Sequence, residues 1–65
     1  MIRSVVRCPN NMVIVFDEDD EQITEYQGLY EEMRERILRD ARPGTLFGHW
    51  FDSETDVRTV PREEW

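Results

Sequence analysis

Met12-Val13-Ile14-Val15-Phe16 carries no charge and is apolar at every position. Such a run, rich in β-branched residues, reads as a strand, and a strand sends alternate side chains to opposite faces of its sheet. Met12, Ile14 and Phe16 therefore leave by one face, Val13 and Val15 by the other. Thr45–Phe51 repeats the pattern, with Leu46 and Trp50 on one side and Phe47, His49 and Phe51 on the other. A chain holding two such strands must shield both faces of its sheet, and 65 residues supply little to do it with.

Size sharpens the problem. Below roughly 70–80 residues a single core seldom supplies more than about 3–5 kcal/mol, and disulfides, a metal or a partner chain make up the rest. With one cysteine and one histidine, neither an internal disulfide nor a Cys/His zinc cage can form within the chain. The expectation is one domain over residues 1–65 with no cofactor, leaning on a partner.

The remaining segments complete an architecture. Ile2–Cys8 carries Ile, Val and Val between arginines and reads as a strand, and Pro9-Asn10-Asn11 is turn chemistry. Glu18-Asp19-Asp20 reads as a tight turn, with Glu21-Gln22-Ile23 as a short return strand. Tyr26, Leu29, Tyr30, Met33, Ile37 and Ala41 fall on one helical stripe about 120° wide at 100° per residue. Thr24 and Gln27 have the spacing of a capping box, although Gly28 moves the expected start toward Leu29, and Pro43-Gly44 stops the helix. Val57–Val60 reads as an edge strand. Pro61-Arg62-Glu63-Glu64-Trp65 is a single turn, with Trp65 folding back to pin the segment. The sequence thus predicts an α+β domain: an antiparallel sheet of four to five strands, β-β-β-α-β-β, with one amphipathic helix packed on one face.

A four-turn helix covers one face of such a sheet. The other is expected to meet a second copy of the chain or another protein, across Val13, Val15, Phe47, His49, Trp50, Phe51 and Trp65. The competing reading has Trp65 and its neighbours roof that face alone.

Charge narrows the partners. The 15 acids outnumber the 8 bases, all arginine, by 7. Residues 17–40 hold ten acids against three arginines, so the whole excess sits there. This disfavours a nucleic-acid binder, which needs a basic face. The charged fraction and the lack of a long apolar run disfavour a membrane span. A lone Cys8 and an opening segment unlike a signal peptide point to the cytoplasm.

Asp17, Glu18, Asp19, Asp20 and Glu21 form an acidic patch. Against a calcium-binding loop, Asp17, Asp19 and Glu21 fit the first ligand positions. Gln22 then stands where glycine is needed, and Gly28 where the bidentate glutamate belongs. The patch is read as a solvated turn, with weak divalent-cation binding as the alternative. Cys8 and His49 are weighed as a nucleophile–base pair and set aside, since a domain this small has little room for a pocket. Tyr26, Tyr30, Trp50 and Trp65 are weighed as base- or sugar-stacking residues and read as core and interface anchors. No phosphate-loop, dinucleotide, nucleophile-elbow or zinc-protease signature occurs. The functional expectation is a small cytoplasmic interaction or accessory protein and no enzyme, probed against two alternatives: an acidic inhibitor or nucleic-acid mimic that binds a basic partner, and a minimal Cys/His enzyme.

Overall fold

The computed structural model describes residues 1–50 and 57–65. Its strands are β1 (Ser4–Arg7), β2 (Met12–Phe16), β3 (Gly28–Leu29), β4 (Leu46–His49) and β5 (Arg58–Val60). The helix α1 (Tyr30–Asp40) lies between β3 and β4, and 3₁₀ turns occupy Thr24–Tyr26 and Arg62–Glu64. The strands form a single sheet in the order β3-β2-β1-β4-β5.

The fold is α+β, but the sheet is mixed. β1 runs antiparallel to β2, with Val5 opposite Val15, and parallel to β4, with Val5 opposite Phe47. The expectation of a purely antiparallel sheet is corrected here. Between β1 and β4 the chain passes through β2, β3 and α1, and the helix carries it back to the end where β1 began. A strand re-entering there beside β1 must run parallel to it. β5 then pairs antiparallel with β4.

The third strand also differs from the sequence reading. Gln22 makes an isolated bridge to Phe16, and Ile23 donates its N–H to the Val15 carbonyl at 2.8 Å. No ladder extends from there, because Thr24–Tyr26 coils into a 3₁₀ turn. The strand that does form is Gly28–Leu29, beside Met12 and Val13. Thr24 thus opens that turn and not the helix. Leu29 is the residue preceding α1 and provides no side-chain cap. Glu31 and Glu32 in the first turn complement the partial positive charge there. At the other end Arg62 donates from Nη2 to the Leu38 carbonyl and, at 2.9 Å, to that of Ala41. Two of the carbonyls that a helix end leaves without an internal partner are satisfied this way.

The core lies between α1 and one face of the sheet. Val5, Val13, Val15 and Phe47 meet Ile37 and Ala41, all buried. Trp65 closes the layer at 2 % exposure: its ring lies 5.0 Å from Phe47 and 5.2 Å, edge-on, from Tyr30, and Nε1 donates to the Gly48 carbonyl at 3.1 Å. Its main-chain oxygen accepts from Tyr30 Oη at 2.8 Å and from Arg34 Nε at 3.3 Å. The tail therefore seals the helix side and leaves the far face alone.

Candidate interaction surface

The register of the strands decides what the far face carries. Val6 lies between Ile14 and Gly48, Ser4 between Phe16 and Leu46, Met12 beside Leu29, and Gly48 beside Thr59. None of these residues is charged. Leu46 is 53 % exposed and Leu29 42 %, while Val6, Met12, Ile14 and Phe16 are half-buried by one another. Trp50, one residue beyond β4 in the same alternation, is 42 % exposed. Together with Cys8, Met12 and Ile14 it lines a hollow of ≈ 450 Å³. The amide pair Gln22–Gln27, joined at 2.7 Å, borders this face beyond β2. Gly48 leaves room on this side for the Val57 side chain, which a Cβ would strike.

The strand cations take the opposite side. Arg7 stacks on the Tyr30 ring, 3.7 Å from its centroid, and donates from Nε and Nη2 to Asn11 Oδ1 at 3.1 and 2.8 Å. Asn11, with φ 66°, donates in turn to Glu31 at 2.5 Å and lends its carbonyl to the Tyr30 N–H. His49 lies in register between Arg7 and Arg58. Burial, then the charge of Arg7, hold its imidazole below the ordinary value.

Set against the sequence reading, the faces are exchanged. Val13, Val15, Phe47 and Trp65 are enclosed against α1 and offer no accessible surface. The reason is steric. Val13 and Val15 of β2 fit beneath Ile37, while Met12, Ile14 and Phe16 emerge on the other side. His49 is half-buried on the helix side, Trp50 lies on the open face, and Phe51 falls outside the described residues. Val6, Met12, Ile14, Phe16 and Leu46 were missed as surface residues. Their common alternation groups them, but alternation does not reveal which group the helix takes.

The acidic patch is a turn that organises itself. Asp17 Oδ1 accepts from the N–H groups of Asp19 and Glu21 at 2.8 and 3.0 Å, and Asp20 adopts φ 61°. The turn leaves the sheet directly after Phe16 and so stands at the end of β2. Among the described residues no three His, Cys, Asp or Glu side chains gather where a metal ion would fit. Cys8 lines the open-face hollow whereas His49 faces the helix, so the sheet separates them. Burial raises the Cys8 pKa, which holds the thiol protonated and less nucleophilic.

Among the described residues no helix is long and apolar enough to cross a membrane. The chain matches no protein-family model, no curated protein and no solved structure with which it was compared.

Proposed function

We propose that this chain is a small cytoplasmic interaction protein that acts as a homodimer, two copies meeting through the open sheet faces, with the acidic turn at the rim. The observation that carries this reading is the absence of charge from every strand position on that face, in a chain that is 35 % charged. A face kept for water would be expected to carry some of that charge. A second copy is the simplest partner for an uncharged, self-complementary surface, since a two-fold axis sets like against like.

Magnitude sets how tight the association is. Strands about 4.8 Å apart, two to five residues long at about 3.3 Å each, make a face on the order of 300 Å². That is within the roughly 300–600 Å² of the largest patch on an ordinary monomer. Two such faces bury on the order of 600 Å² before the rim is counted, less than the ~1,200 Å² of a standard stable interface. The pair is therefore weak and forms with rising concentration. Because the contact is apolar and the two copies carry like charge, added salt does not weaken it. An acidic inhibitor or nucleic-acid mimic would show the opposite, a partner lost as salt rises.

Sedimentation or light scattering over a wide concentration range is the test. The mass rises from 7.9 kDa toward twice that value, and Ile14→Glu, a charge set in the middle of the open face, holds the chain monomeric. A wild-type chain that stays at the monomer mass up to millimolar concentration would defeat the proposal.

A further inference from the structure

The eight arginines of this acidic chain differ in what holds them. Arg7, Arg34, Arg36, Arg39 and Arg62 each bond to or stack on a neighbour, and Arg58 is engaged as well. Among the described residues only Arg3 and Arg42 have guanidinium groups with no hydrogen bond, ion pair or ring contact. Both line the same hollow, of ≈ 420 Å³, at the end of the sheet where β1 and β4 begin.

Ordinary structural duties for the two are already filled. A cation beside a helix C-terminus usually serves the last carbonyls, but Arg62 has taken those of Leu38 and Ala41. The acid in the hollow, Glu18, is held by the amino group of Met1 at 3.2 Å. The main chain beneath both arginines is pinned: Arg3 N–H donates to the Phe16 carbonyl at 2.8 Å, the Arg3 carbonyl accepts from Leu46, and the Arg42 carbonyl accepts from Thr45. Gly44, which lines the same hollow at φ 95°, leaves open space where a side chain would stand.

We infer that this hollow is an anion site, in which Arg3 and Arg42 together take a phosphate group. Two guanidinium forks suit the tetrahedral oxygens of phosphate, each offering paired N–H donors. A volume of ≈ 420 Å³ accommodates a small organic molecule as well as the anion itself. The chain's net charge of −7 works against any anion at long range, so binding is weak and local in origin. The inference does not rest on the homodimer: neither arginine is an open-face residue, although Leu46 both lines this hollow and lies on the open face.

The test is an amide NMR titration of the whole chain with inorganic phosphate, against sodium chloride of equal ionic strength. Saturable shifts at Gly44, Thr45 and Leu46 are expected with phosphate alone. Arg3→Gln and Arg42→Gln should each weaken binding about tenfold, the value of one charge-assisted hydrogen bond. The double variant should abolish it while its spectrum stays dispersed. Arg36→Gln, on the outer side of α1 over Tyr26, should change nothing. Glycerol 3-phosphate identifies the source: tighter binding than inorganic phosphate assigns an organic phosphomonoester, equal or weaker binding the free anion, and both support the site. Absence of phosphate-specific shifts in the wild type, or shifts undiminished in the folded double variant, would overturn it.

Discussion

The two faces of the sheet reverse the usual relation between charge and burial. The face under the helix holds every strand cation, Arg7 and Arg58, with His49 between them, and yet it is the covered one. The open face holds no charge and no helix. The covered face tolerates Arg7 because its planar group lies flat on Tyr30 while its N–H groups reach Asn11. What decides the inner side is therefore the fit of Val5, Val13, Val15 and Phe47 against the helix, with the cation accommodated at the edge of the layer. A charged residue within a strand is a poor guide to which side is wet.

Adjacent residues of β4 give the sharpest test of this contrast. Phe47, 2 % exposed, is enclosed between Ile37 and Trp65, and Leu46, 53 % exposed, lies on the open face. Phe47→Ala should cost about 3–5 kcal/mol, enough to unfold so small a domain. Leu46→Ala should stay within about 0.5 kcal/mol in dilute solution. Urea unfolding followed by circular dichroism measures both, and equal losses would mean that the faces have been assigned wrongly.

A smaller effect is expected at the edge of the covered side. Arg7→Met keeps the aliphatic stem but loses the stacking on Tyr30 and the bonds to Asn11. A loss of about 1–2 kcal/mol follows, read from the same unfolding curves. No loss would show that the cation is merely carried there. The smallest effect is in pH. His49 is held below its ordinary value of 6.5 by burial and by Arg7. The unfolded chain thus binds the proton more readily than the folded one. Its contribution is complete above pH 6.5 and is lost as pH falls through the folded value. Asp40, held low by Tyr26 and Arg39, acts in a separate window below its ordinary 3.8. Melting temperature should therefore fall as pH drops below 6.5, and His49→Gln should flatten that fall. An unchanged slope in the variant would assign the fall to other groups.

Much of this was legible in the residues. The stripe from Tyr30 to Ala41 marks the helix, Pro43-Gly44 its end, and the apolar run at 12–16 a strand with two apolar faces. Three features were not. The parallel pairing of β1 with β4 depends on where a helix returns the chain, which no local pattern records. The short strand Gly28–Leu29 has two residues and no alternation to read, and it exists because Met12 and Val13 offer an edge beside it. The hollow holding Arg3 and Arg42 joins residues thirty-nine positions apart, and nothing along the chain marks them as a pair.

Alternation and length, both properties of the chain alone, dictated that hydrocarbon would emerge on two sides of a sheet too small to enclose it with one helix. Which side the helix took was settled only in three dimensions. Strand periodicity divides residues into two sets but ranks neither, and the choice belongs to the packing of Val5, Val13, Val15 and Phe47 beneath Ile37, with Trp65 filling the gap that remained.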